Sequence, residues 1–173
     1  NLGNFLKSTG RLEDARAAYE RATIFAPQSA NAFNALGLAC SQLGDGAGAR
    51  KALQSALAAD PKNAGALNNL GNIEAAGNRI EAAAAYFTRA LEISPNLFSA
   101  RINRGAALRT LGRYEEALAD QMRAASIAPQ AAEAFYQQAA TFRTLGRFEE
   151  AAKSYRTAIG LDRTRADIHR DYA

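Results

Sequence analysis

The sequence predicts an all-α stack of antiparallel helical hairpins, and three periodic features carry that prediction. Every proline in the chain, Pro27, Pro61, Pro95 and Pro129, falls 34 residues after the one before it. Gly10, Gly44, Gly112 and Gly146 keep the same step with Asn78 in the gap, and Asn is the next-best residue for the left-handed turn that ends a helix. Small residues hold three further columns: Ala15, Ala49, Ala83, Ala117 and Ala151; Ala22, Ala56, Ala90, Ala124 and Ala158; Gly3, Gly37, Gly71, Gly105 and Ala139. A side chain kept small in every unit marks a place where two helix backbones approach closely.

Between these marks each unit holds two segments of about a dozen residues, as in AFNALGLACSQLG followed by GAGARKALQSALAADP. Leu53, Ala56 and Leu57 recur at helical spacing; the Gly between segments is a C-cap, and the Pro prevents continuation. Residues 1–29 form a partial first unit, opening on most of a helix, NLGNFLKSTG. Complete units follow over 30–63, 64–97, 98–131 and 132–165, and 166–173 begin a truncated sixth within one continuous array. Acidic pairs at residues 13–14, 115–116 and 149–150 fall in the first turn of the second helix, where the macrodipole favours negative charge. A start at Asn1 without methionine, and both ends cut inside a hairpin, read as a piece of something longer. Such ends expose apolar surface, so end-to-end self-association is expected.

Composition narrows the functional classes. Of 173 residues 48% are apolar and 22% charged, which is ordinary for a packed soluble domain. The net charge of +4 is spread out, with nine basic against eight acidic residues before position 98 and twelve against nine after it. Nucleic-acid binding, which needs Lys and Arg gathered in a patch, is not expected. No apolar run approaches the roughly 18 residues of a membrane span, so no membrane partner is expected. The single cysteine, Cys40, forbids an internal disulfide and suits a reducing cytoplasm. Abundant Ala, and Arg in excess of Lys, point to a GC-rich bacterial genome.

The columns in register resemble the tetratricopeptide repeat family, whose 34-residue unit carries a large apolar residue, Leu-Gly, Ala, an aromatic, Ala and Pro at fixed positions. The second unit shows Phe33, Leu36, Gly37, Ala49, Leu53, Ala56 and Pro61, and the third Leu67, Leu70, Gly71, Ala83, Phe87, Ala90 and Pro95. The fourth follows with Gly105, Ala117, Ala124 and Pro129, and the fifth with Phe135, Ala139, Ala151, Tyr155 and Ala158. The 35-residue pentatricopeptide family, which reads RNA, lacks this set. The resemblance covers the whole chain and implies a right-handed α-solenoid, a superhelix whose concave side is lined by the first helix of each hairpin. It also implies that partners lie there.

Catalytic signatures are missing. One histidine, His169, and one cysteine cannot assemble the usual metal site, and there is neither a glycine-rich phosphate loop nor a G-x-S-x-G elbow. No enzyme activity, cofactor or metal is expected. Cys40 sits where the unit packs an apolar residue and reads as core; His169 reads as exposed or packing.

Projecting the family's inward positions onto this chain gives Asn4, Lys7 and Ser8, then Asn31, Asn34, Leu38, Ser41 and Gln42, then Asn68, Asn69 and Asn72. Ser99, Ile102, Asn103, Arg109 and Thr110 follow, with Glu133, Tyr136, Gln137, Arg143 and Thr144 last. A carboxamide both donates and accepts, so a row of them can grip the backbone of an extended peptide without demanding particular side chains. Asn is a poor helix former, and the cluster Asn68, Asn69 and Asn72 runs against propensity in an Ala-rich chain. Asn69, Asn103 and Gln137 hold one column and resemble, in part, the asparagine ladder in the superhelix of O-linked N-acetylglucosamine transferase; the column breaks at Ala35. The chaperone-binding carboxylate clamp of the family is absent: its positions hold Asn34 with Leu38, Asn72, and Ile102 with Ala106.

Unit four departs from the pattern. Arg101 and Arg104 stand at large apolar positions, Gln121 replaces the aromatic, and Gln138 continues the polar column in unit five. A buried guanidinium needs a partner, and Asp120 or Glu116 is the expected one. The alternative is a basic patch of Arg101, Arg104, Arg109 and Arg143 for an acidic segment. The expected function is a scaffold that binds a protein or extended peptide through Asn34, Leu38, Asn68, Asn69, Asn72, Ile102, Asn103, Arg109, Tyr136, Gln137 and Arg143. The recognition region of a larger enzyme, such as a glycosyltransferase, and a self-assembling structural module are the rival readings.

Overall fold

The computed structural model describes residues 2–163, and these are ten α-helices with no strand among them. In chain order they are α1 (Leu2–Ser8), α2 (Leu12–Phe25), α3 (Ala30–Gln42), α4 (Gly46–Ala59) and α5 (Ala64–Ala76), then α6 (Ile80–Ile93), α7 (Phe98–Thr110), α8 (Tyr114–Ile127), α9 (Ala132–Thr144) and α10 (Phe148–Leu161). The chain forms two compact units, Asn1–Ile93 and Ser94–Ala173. His169 and the start of a sixth repeat lie outside the described residues.

Each hairpin turns the same way for a local reason. Gly10, Gly44, Gly112 and Gly146 take φ between 71° and 79°, and Asn78 follows at 58°. The residue after each turn donates back to the first helix: Arg11 to Leu6, Asp45 to Cys40, Arg79 to Glu74, Arg113 to Leu108 and Arg147 to Phe142, each at 2.9 Å. These are Schellman closures, which bring the side chains of the two bonded residues together. Ser29, Asp45 and Asn63 cap α3, α4 and α5 by accepting from the backbone N–H three residues on.

In the first unit the small columns do what their spacing implies. A Cβ added to Gly37 would lie 2.6 Å from Leu53 Cγ, and one on Gly71 would lie 2.4 Å from Phe87 Cε1. Leu53, Ala56, Ala66 and Leu70 form a buried cluster joining α4 to α5, with Phe33, Leu57, Ile73 and Tyr86 packed on it. Leu6, Ala15, Tyr19 and Ala39 form another. Cys40 is buried as a core residue, and its thiol is pushed up by burial and then by the Asp45 carboxylate. Leu2, Phe5, Ile24 and Phe25 are exposed on the N-terminal hairpin.

In the second unit Ile102, Ala124 and Ala134 join α7, α8 and α9, while Leu118 of α8 clusters with Ala139 and Phe142 of α9 and with Ala151, Tyr155 and Ala158 of α10. The departures of its first hairpin are resolved by an ion pair. Asp120, 3% exposed, accepts from Arg104 Nε at 2.6 Å and Nη2 at 2.8 Å, and from Arg101 Nη1 at 2.9 Å. Glu116 pairs with Arg113 instead. Arg101 and Arg104 are therefore a structural seam across the hairpin, and the alternative basic patch loses two of its four members. Gln138 accepts from Ser154 Oγ at 3.3 Å at the same two repeat positions in the next hairpin. Gln121 fills the aromatic position opposite Gly105 with complete burial, and among the described residues neither its amide oxygen nor its nitrogen finds a partner.

Candidate functional site

In the first unit α3 and α5 lie side by side, and the amide row falls on the face they share. Asn69 Nδ2 donates to Asn34 Oδ1 at 2.9 Å across successive repeats. That bond orients both carboxamides. It leaves the Asn34 amino group and the Asn69 carbonyl without a partner among the described residues, a donor and an acceptor held in fixed register. Asn34, Leu38 and Asn69 are half-buried and Asn72 is exposed, whereas Asn68 is 7% exposed and largely withdrawn from solvent. Asn4 on α1 accepts from the Tyr19 hydroxyl at 2.6 Å and so buttresses its own hairpin.

In the second unit Asn103, Arg109, Tyr136 and Gln137 are half-buried on α7 and α9, Arg143 is exposed, and Ile102 is buried at 8%. Gln137 Nε2 donates to Glu133 Oε1 at 2.7 Å, while its own carbonyl is buried without a partner among the described residues. The Tyr136 ring rests against Tyr155 with centroids 6.0 Å apart, which fixes its orientation. Arg109 Nε is likewise buried without a partner among the described residues.

Sequence reasoning missed a charged cluster in the first unit. Glu74, 4% exposed on α5, accepts from Arg50 of α4 and from Arg79 in the turn before α6 of its own hairpin. Burial alone would push its carboxyl up, but hydrogen bonds from Arg50 and Arg79 override that and hold it below the usual carboxylate range. The missed signal was an acid in a column that otherwise reads Leu6, Cys40, Leu108 and Phe142. Beside the cluster opens a cleft of about 460 Å³. Among the described residues no group of three or more His, Cys, Asp or Glu could hold a metal ion, and no helix is long and apolar enough to cross a membrane.

Four stretches of the chain match tetratricopeptide repeat models: residues 3–44, 34–97, 86–119 and 132–165. No curated protein sequence matches the chain. Among solved structures the chain is similar to YrrB, described as a TPR protein with an unusual peptide-binding site. Identity there is 26% and TM-score 0.76, covering 99% of this chain and 88% of that one. TTC0263, a thermophilic TPR protein in Thermus thermophilus, matches at 23% identity and TM-score 0.78 over 99% and 93% of the two chains. The Cut9–Hcn1 hetero-tetramer of the APC/C matches at 19% identity and TM-score 0.91, where 98% of this chain covers 34% of that one.

Proposed function

Because the chain belongs to the tetratricopeptide repeat family, whose members are generally protein-interaction scaffolds, we propose that it binds an extended peptide segment of a partner protein on its first-helix faces. The observation that carries this reading is the bonded pair Asn34 and Asn69. An extended backbone presents alternating N–H and C=O groups, and the pair offers one acceptor and one donor already oriented, so little side-chain entropy is lost on binding. Asn72 and the apolar Leu38 extend the same surface. Asn68 contributes mainly by packing within it.

The face of the second unit would add contacts of a different kind. Tyr136 is a rigid aromatic anchor, and the unpaired Gln137 carbonyl accepts a backbone N–H. Arg109 and Arg143 favour acidic side chains. YrrB, similar at 26% identity, is described as having a peptide-binding site, which supports the class of ligand but not the residues.

The test is binding of end-capped, uncharged peptides on an array by the wild type and by an Asn34→Ala, Asn69→Ala variant, with helicity checked by circular dichroism. Loss of most of the signal in the folded variant is expected. Equal binding by both would remove the amide pair from the site, and no binding by either would remove the reading.

A further inference from the structure

Three departures from the repeat meet at one place in the first unit. Where other hairpins carry Leu6, Cys40, Leu108 or Phe142, the third carries Glu74; where they carry Thr9, Leu43, Leu111 or Leu145, it carries Gly77; where three of them carry Asp14, Glu116 or Glu150, it carries Ala82. Each change has a consequence for Arg79. Arg11, Arg113 and Arg147 occupy the same position and pair with the acid three residues on. With Ala82 there instead, that partner is gone, and the Schellman closure sets Arg79 against Glu74, as Arg147 is set over the Phe142 ring at 4.6 Å. Gly77 makes the room: a Cβ there would lie 2.8 Å from Arg79 Nη1.

Arg50 reaches the same carboxylate from α4. Two guanidinium groups thus share one buried acid, a net single positive charge, and each keeps N–H donors that no described residue uses. Both line the cleft of about 460 Å³, together with Ser41, Gly44, Gly46 and Asn72, and no other charged residue among the described ones lines it. Asp45, between two of the lining glycines in sequence, is engaged as the cap of α4, accepting from Gly48 N–H at 2.8 Å. Ser41 and Asn72 occupy first-helix face positions, so the cleft is a side pocket of the amide-bearing face. A buried ion cluster where an apolar residue serves in four other hairpins brings little stability of its own.

We propose that this cleft is an acidic-side-chain pocket: it takes the carboxylate of an Asp or Glu in the bound segment, with Arg50 and Arg79 as ligands and Glu74 as the residue that positions them. The proposal rests on the peptide-binding reading above and names one specificity it would have. A carboxylate matches the planar donor edge of a guanidinium, and the cleft has space for the side chain that carries it.

The experiment titrates two fluorescent, end-capped peptides, one with a central Glu pair and one with Gln in its place, against wild type, Arg79→Gln, and the Asn34→Ala, Asn69→Ala variant. Arg79→Gln leaves Glu74 paired with Arg50, so no buried charge is orphaned; a second variant, Arg50→Met with Glu74→Leu and Arg79→Met, removes the cluster whole. The expected result is roughly tenfold tighter binding of the Glu peptide than of the Gln peptide, with the difference abolished in both cluster variants. Equal binding of the two peptides by wild type would overturn the pocket while leaving the amide face standing. A Glu preference that survives in both cluster variants would also overturn it. Retained Glu preference in the Asn variant, with the same affinity, would separate the pocket from the amide pair and refute the latter alone.

Discussion

Gln121→Leu should stabilise the second unit. The side chain is fully buried, and both polar atoms of its amide lack partners among the described residues. Burying an amide without hydrogen bonds costs about 1–3 kcal/mol by protein mutational data, and Leu removes both atoms at similar volume. The space is suitable, because Gly105 faces Gln121 as Gly37 faces Leu53, and Leu53 packs there fully buried. Overpacking is therefore not a competing cost, and a gain of about 2 kcal/mol is expected, equivalent to roughly 4–8 °C in a melting midpoint for a chain of this size. Because a repeat array need not unfold in one step, amide hydrogen exchange across α7 and α8 should be measured beside urea unfolding. Slower exchange in these helices and a higher midpoint are expected, with Leu53→Gln showing the opposite. A Gln121→Leu protein with unchanged or faster exchange would mean that the amide is satisfied in solution, and the reasoning would fail.

Asp120→Ala removes the buried carboxylate that Arg101 and Arg104 share, and a loss of about 3–5 kcal/mol is expected from urea unfolding; replacing all three residues with Leu should recover most of it. Glu74 gives a pH dependence. Its folded carboxyl titrates below the unfolded one, so its stabilisation is fully present above the unfolded value near pH 4.3 and is lost as pH falls through the lower folded value. As pH falls below about 4.3, the urea midpoint of the wild type should therefore drop more steeply than that of Glu74→Gln, and parallel curves would exclude the cluster as the cause.

The hairpin architecture was legible because it rests on local rules. Pro at every 34th residue, Gly or Asn at each turn and a small residue at each crossing constrain the backbone whatever surrounds them. Asn78 shows the strength of the rule: it takes the left-handed conformation that its place in the glycine column implied. The Arg101 and Arg104 partner was legible to within two candidates, since Asp120 and Glu116 lie on one helix four residues apart. Which of them turns inward depends on packing, and the exposed Glu116 was already matched by Arg113 on its own turn.

The candidate site was harder to see, because its chemistry depends on contacts between repeats. Position along the helix assigns Asn34 and Asn69 to first-helix face positions, but their mutual bond, which decides what each can still offer a ligand, joins residues 35 apart. Burial separates Asn68 from Asn72 although both carry the same amide. The Glu74 cluster was hidden for the same reason. Aligned one column at a time, the exchange of an apolar residue for Glu reads as a single anomaly. Only when Gly77 and Ala82 are placed around it, with Arg50 reaching in from α4, do three ordinary deviations become one arrangement: a buried carboxylate that holds two guanidinium groups beside an open cleft. Departures from a repeat carry functional information when they converge in space, so comparing a chain's own repeats in three dimensions separates such a cluster from drift at isolated positions.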